Sequence, residues 1–224
     1  VSGMNMDQAK EAVMQAAQDY SSRKLILTLE DGQQAEATLG ELGISVPHLE
    51  SAVKKAVDYG KEGSMAACYK ILKSAEKGEN NKVFPITYAV TEESAASVLN
   101  ERLGGFLPQP ENAKMTQSDG AGVVTEDVPG KRVDVKKTVE SINHEIVDGK
   151  TPDGEVVVVD TEEYEADITA ADLEGITDLL GTYSTYYGES DSGRKMNVES
   201  GAAHIGGTLM GPGEEVSADK LMAP

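Results

Sequence analysis

Three histidines, one cysteine and a tyrosine cluster are the side chains with the most obvious capacity for chemistry in this 224-residue chain. His48 follows Pro47, His144 precedes Glu145, and His204 lies among small residues before Gly206. None belongs to a His-Glu-x-x-His pair, and no His/Cys spacing matches a zinc site, so each reads as a surface or partly packed imidazole. Cys68 falls in an alanine-rich helical stripe and reads as a small buried hydrophobe. As the single cysteine it can form no intrachain disulfide. A catalytic thiolate would need a neighbouring His and an exposed loop to lower its pKa. Gly-x-Ser-x-Gly and glycine-rich phosphate loops are absent as well. The sequence therefore supports no catalytic residue, no metal site and no cofactor. Ligand binding is the remaining chemistry. Tyr183, Tyr186 and Tyr187, with Arg194 nearby, are the candidate ligand-binding residues, because glycans are held by aromatic platforms flanked by polar groups. On a strand from Leu180 to Tyr187, Tyr183 and Tyr187 would share one face and Tyr186 would take the other. Core packing is the competing use of the same rings.

Charge narrows the partners. The chain carries 39 acidic and 20 basic residues, a formal charge of −19. That disfavours nucleic acid and anionic membrane surfaces, which are bound by neutralising phosphates with Lys and Arg. From Glu140 to Asp178 there are thirteen Asp or Glu against one basic residue, Lys150. This reads as a solvated acidic face. The alternative, a Ca²⁺ surface, lacks loop spacing: no Asp-x-Asp-x-Asp-Gly run exists, and Glu189-Ser-Asp191-Ser-Gly193 has its glycine misplaced. No apolar run reaches the roughly 18 residues a membrane span needs. The opening Val1-Ser-Gly-Met reads as a boundary within a longer protein, so missing targeting signals carry no information.

The elements that would position these residues follow a repeated order. Asn5 caps a helix from Met6 to about Tyr20, with Gln8 completing a capping box and Ala9, Ala12, Val13, Ala16 and Tyr20 on one face. Lys24–Glu30 and Gln33–Leu39 flank Asp31-Gly32, a hairpin signal in which both turn residues take positive φ. After Leu42-Gly43-Ile44, Pro47 and His48 open a helix to about Tyr59, striped by Leu49, Val53, Ala56 and Val57. A third helix, about Ser64–Lys77, carries Ala67, Cys68, Ile71, Leu72 and Ala75. The pattern then restarts after Gly78-Glu79-Asn80-Asn81. Val83–Val90 reads as an edge strand containing Pro85. A Thr91-capped helix bears Ala95, Val98, Leu99 and Leu103, and short strands follow near Lys114–Thr116 and Gly122–Thr125. A helix spans about Asp134–Val147, and Glu155–Asp160 is a β-branched strand. Leu42–Val46 corresponds loosely to Pro129–Val133, each leading into a valine-striped helix. This reads as a degenerate repeat, longer than solenoid periods.

Two resemblances overlie this pattern. Ser2-Gly3-Met4 with Asp7-Gln8-Ala9-Lys10-Glu11-Ala12 resembles the entry of the peptidoglycan-binding domain family that precedes VanW-like domains and some L,D-transpeptidases. Asn5 stands where Thr is usual, one helix cap for another. Leu42-Gly43, the Val53…Ala56-Val57…Gly60 helix and the Gly130…Val133-Asp134 turn match its inner pattern. Further on, Leu180-Gly181-Thr182-Tyr183, Arg194…Asn197-Val198 and Gly207-Thr208-Leu209-Met210-Gly211-Pro212-Gly213-Glu214 resemble the opening of a VanW-like domain. There, Val216 replaces the family's usual Phe. The Ser-His-Gly-x-Cys-type signature of L,D-transpeptidases is absent.

The expected fold class is α+β: two tandem small modules of helices on short, mainly antiparallel sheets, plus an incomplete C-terminal segment. The expected boundaries are 1–82 and 83–168 for two peptidoglycan-binding modules and 169–224 for the start of a VanW-like domain. The resemblance implies a non-catalytic, extracellular protein at the surface of a Gram-positive bacterium, contacting peptidoglycan and tethered to the membrane beyond this chain. A structural spacer presenting a downstream domain is one alternative. Another is the non-catalytic part of a cell-wall enzyme. Apolar residues of 181–224 (Val198, Ile205, Leu209, Met210, Val216, Leu221 and Met222) are expected to seek intermolecular contacts.

Overall fold

Helix α1 (Met6–Ser21) begins where its cap predicts: Gln8 N–H donates to Asn5 Oδ1 at 2.9 Å and Asn5 N–H to Gln8 Oε1 at 3.0 Å. The computed structural model describes residues 4–79, 82–118, 121–178 and 180–222. Ser2 and Gly3 of the entry motif, Asn80 and Asn81 of the expected linker, and Leu179 lie outside the described residues. The chain continues through β1 (Lys24–Thr28), β2 (Gln34–Thr38), α2 (Leu49–Asp58), α3 (Met65–Glu76) and α4 (Glu92–Leu103). Next come β3 (Lys114–Ser118), β4 (Ala121–Thr125), β5 (Gly130–Val133), α5 (Val135–Ile146), β6 (Glu155–Val158) and β7 (Thr161–Tyr164). The last elements are α6 (Ala170–Leu173), α7 (Ser192–Ile205) and α8 (Ala218–Leu221). The fold is α+β. One compact unit comprises Val1–Pro108 with Lys131–Glu162, and the other Gln109–Gly130 with Glu163–Pro224.

The first unit is organised by a sheet of order β2-β1-β6. β1 runs antiparallel to β2, with Leu25 opposite Ala37, and parallel to β6, with Leu27 opposite Val157. Period-two alternation sends Leu25, Leu27 and Leu29 inward. Against them pack Leu99 and Leu103 of α4 and Ile142 and Ile146 of α5, all fully buried. Each such side chain contributes about 1.5–3 kcal/mol on burial. Tyr20 of α1 joins this core; its hydroxyl donates to Thr151 Oγ1 at 2.8 Å, and its ring lies 4.9 Å from that of Tyr88. Burial, with a smaller contribution from Tyr20, raises the pKa of the Tyr88 hydroxyl. A smaller cluster joins Ala9 and Val13 of α1 to Val53 of α2.

This arrangement differs from a division at residues 82 and 83. Tyr20, Leu25 and Ile142 share one core, and β6 extends the sheet that β1 begins. A β1–β2 hairpin has too little apolar surface to stand alone, whereas β6 and the helices α4 and α5 complete its cover. Several local expectations also change. Ala12 and Ala16 are exposed, and the buried positions of α1 are Ala9, Val13 and Tyr20. In the β1–β2 loop only Gly32 has positive φ (+87°). Asp31 instead accepts the Gln33 N–H at 3.0 Å, an Asx-type turn that needs no second left-handed residue. His48 is not in the first turn of α2 but precedes it, left-handed at φ 59°.

Val83–Val90 is no strand. It makes one bridge, Ser45 with Ala89, and Tyr88 N–H donates to the Val147 carbonyl at 3.1 Å. Asn143 of α5 takes the place of the next strand: Val90 N–H donates to its Oδ1 at 2.7 Å, and its Nδ2 donates to the Val90 carbonyl at 3.0 Å. Both backbone groups of a buried residue are thereby satisfied.

In the second unit β3 and β4 form an antiparallel hairpin, and α6 packs on it. Ala113 N–H donates to the Ile168 carbonyl at 2.9 Å and Ala170 N–H to Asp127 Oδ1 at 2.9 Å. Ala113, Ala166 and Leu173 are buried there. α6 spans only Ala170–Leu173, and the described residues of 180–187 do not form the expected strand. α7 is capped by Asp191, whose Oδ1 accepts the Arg194 N–H at 2.9 Å. It buries no residue, because Gly, Ala, Ser and charged residues leave it without a continuous apolar stripe.

Candidate functional site

The chain turns sharply after α2. Gly60 takes φ +84°, and a Cβ there would stand 2.9 Å from Ile71 Cγ2 of α3. Only glycine combines that backbone with so close an approach. Ser64 then caps α3, its Oγ accepting the Ala67 N–H at 3.3 Å. The turn sets the end of α2 beside α3 and leaves a groove of about 520 Å³ lined by Lys54, Lys55, Asp58, Tyr59, Glu62, Ile71 and Phe84, among others. Tyr59 and Phe84 are half-buried and meet edge to face, centroids 5.4 Å apart. The ammonium of Lys82 lies 5.0 Å from the Tyr59 centroid and 5.8 Å from that of Phe84. Such exposed cation–π contacts contribute about 0.5–1 kcal/mol and hold the cation beside the rings. The groove thus combines an aromatic wall with three ammonium groups and the two carboxylates of Asp58 and Glu62.

A second groove, about 590 Å³, runs between α5 and β6 and has the opposite character. Glu140, Glu145 and Asp160 line it with Lys137 and His144, and its apolar wall is Val156–Val158, with no aromatic residue. Here Lys137 is already engaged: its ammonium lies 2.9 Å from Asp134, the N-cap of α5. The Lys137 side chain, and then its backbone N–H, lower the pKa of the Asp134 carboxyl.

Tyr183 and Tyr186 are 93% and 83% exposed, so neither is a core residue, while Tyr187 is half-buried. Arg194 is exposed in the first turn of α7. Without a strand at 180–187, the alternation of faces expected for the three tyrosines does not arise. His144 Nδ1 lies 3.2 Å from Glu145 Oε1, and His204 Nδ1 lies 2.7 Å from the Ser200 carbonyl, a contact within one helix. Cys68 is half-buried on a helix that buries nothing, rather than enclosed by an apolar stripe. Among the described residues no group of three or more His, Cys, Asp or Glu could hold a metal ion, and no helix is long and apolar enough to cross a membrane.

Sequence reasoning passed over the α2–α3 groove, although a signal was present. Lys54 to Lys82 contains seven lysines and four acids, while the rest of the chain has thirteen basic and thirty-five acidic residues. The charge reverses locally, and Tyr59 and Phe84 lie within the reversed stretch. No curated protein and no solved structure matches the chain. One family does: the one described as "Putative peptidoglycan binding domain" matches residues 35–153, from β2 to the turn before β6, and so includes the α2–α3 groove. With more than half of its length matched, the chain belongs to that family.

Proposed function

We propose that this protein binds peptidoglycan as a non-catalytic, cell-wall-associated module on the outer face of a Gram-positive cell. The observation that carries the reading is the family match over residues 35–153. A fold that leaves an aromatic, lysine-bearing groove open within that span supports it. The strongly acidic remainder of the chain disfavours polyphosphate partners, whose binding depends on Lys and Arg. Residues 169–224 fit the opening of a VanW-like domain. Gly207 and Gly213 take positive φ (+85° and +83°) in the glycine-rich turn, where Gly211 N–H donates to Glu214 Oε2 at 2.8 Å. Tyr183, Tyr186 and Arg194, with the half-buried Tyr187, offer a second contact surface on that segment.

A spacer role is the competing reading, favoured by the exposed apolar residues of the last segment, among them Val198, Ile205 and Met210. Co-sedimentation with purified sacculi separates the two. A wall-binding module pellets with sacculi stripped of teichoic acid and is displaced by soluble muropeptides. A spacer stays in the supernatant at every sacculus concentration.

A further inference from the structure

We propose that the α2–α3 groove is the recognition site, and that it takes the peptide stem of peptidoglycan through a free stem carboxylate, with the stem's aliphatic side chains against Tyr59 and Phe84. This rests on the peptidoglycan-binding reading and deepens it. Charge complementarity identifies the occupant. Lys54 and Lys55 line the groove with Asp58 and Glu62, Lys82 is held over its aromatic pair, and among the described residues no acidic side chain lies within ion-pair distance of these three ammonium groups. A carboxylate is the counterpart that three exposed ammonium groups select, through charge-assisted hydrogen bonds that are stronger than neutral ones. The α5–β6 groove is similar in size, but its three carboxylates face a single lysine that Asp134 already holds, and no Phe, Tyr or Trp lines it, so it is the poorer site for the same ligand. The size of the site also fits. About 520 Å³ holds a short peptide segment rather than a polymer, in keeping with ordinary small-ligand clefts of roughly 300–1,000 Å³.

Gly60 and Ile71 set the shape of the groove, while the lysines confer its selectivity for charge. Selectivity is therefore separable from folding. Lys54, Lys55 and Lys82 are exposed, and reversing them removes no core contact.

The test uses the full chain. Amide chemical shifts are followed on titration with three probes: a disaccharide-tetrapeptide, the same disaccharide without peptide, and the free tetrapeptide. Wild type is compared with the double variant Lys54→Glu/Lys82→Glu and with Lys137→Glu in the α5–β6 groove. Binding of the two stem-bearing probes is expected, with shifts centred on residues 51–84. The double variant should weaken it roughly tenfold or more, equivalent to at least about 1.4 kcal/mol. Added salt should weaken wild-type binding as well, because the pairing charges are exposed. The Lys137→Glu variant and the stem-free disaccharide should show, respectively, unchanged affinity and no groove shifts.

Equal affinity of wild type and the double variant overturns the inference. So do shifts centred on α5 and β6, or binding of the stem-free disaccharide in the groove. Sacculus co-sedimentation distinguishes the levels. If wild type and double variant pellet equally, the groove assignment fails and wall binding stands. If wild type does not pellet with teichoic-acid-free sacculi, both fail. Pelleting that requires teichoic acid shows that the lysines read phosphate instead, and the stem assignment is wrong.

Discussion

Replacing Asn143 by Ala should destabilise the first unit by about 2 kcal/mol, and the figure can be built from the contacts it makes. The Asn143 amide satisfies both backbone groups of Val90, at 2.7 and 3.0 Å. Val90 is only 3% exposed, so neither group regains bulk water when the amide is removed. An orphaned buried polar group costs about 1–3 kcal/mol, which puts the gross loss at roughly 2–6 kcal/mol for the pair. Two effects pull it to the lower end. Asn143 is itself half-buried, so water can enter the truncated site, and Ala in a helix interior is better than Asn by up to about 0.7 kcal/mol. Urea unfolding followed by circular dichroism should show a lower midpoint at unchanged slope, since the buried area hardly changes. Hydrogen exchange should localise the effect, with the Val90 amide losing more protection than that of Leu99 in the α4 core. A loss below about 0.5 kcal/mol, the range of neutral surface substitutions, would show that Asn143 does not anchor the 83–90 segment and that the Ser45–Ala89 bridge suffices.

His48 is the sole described non-glycine residue with positive φ, so His48→Gly should raise stability by about 1 kcal/mol in thermal or urea unfolding; destabilisation would mean the imidazole makes a compensating contact. Asp134 has a depressed folded-state pKa, chiefly through the Lys137 side chain and then its backbone N–H. Its contribution is therefore present above its unfolded value of about 3.9 and lost as pH falls through the folded one. The stability gap between wild type and Asp134→Asn, which keeps an N-cap acceptor but no charge, should close between about pH 5 and pH 2; a gap independent of pH rejects the pairing. Tyr183→Ala/Tyr186→Ala should leave unfolding midpoints within about 0.5 kcal/mol because both rings are exposed, and a larger loss would place them in a core. In Gly60→Ala, strain at φ +84° and the clash with Ile71 should cost at least about 1 kcal/mol and shift α3 amides; unchanged spectra would show that the turn does not set the groove.

Local chemistry was legible in the residues, and the long-range assembly was not. Asn5, Thr91 and Asp134 announce helix starts because an N-cap is a contact within three residues, and all three cap as their types require. The stripe Ala95, Leu99 and Leu103 and the alternation Leu25, Leu27 and Leu29 likewise report one buried face each. What such periodicity omits is the partner. Nothing in Glu155–Val158 says that it lies parallel to β1 across more than a hundred residues, since parallel pairing carries no turn signal. That pairing merges residues from both halves of the apparent repeat into one core. Val83–Val90 has the composition of a strand, yet α5 rather than another strand faces it, and Asn143 supplies the hydrogen bonds. Tertiary context overrode propensity there. The candidate site divides the same way. Exposed tyrosines near the end of the chain drew notice because they cluster in sequence. Tyr59 and Phe84 are twenty-five residues apart, and only the path of the chain through the Gly60 turn, α3 and back brings their ring centroids within 5.4 Å. The sequence by itself determined the caps, the buried faces, the acidity and the reversal of charge between Lys54 and Lys82. Tertiary structure alone decided which faces meet, because a side chain's burial partners depend on contacts distant in sequence, and so it alone placed an aromatic wall beside those lysines.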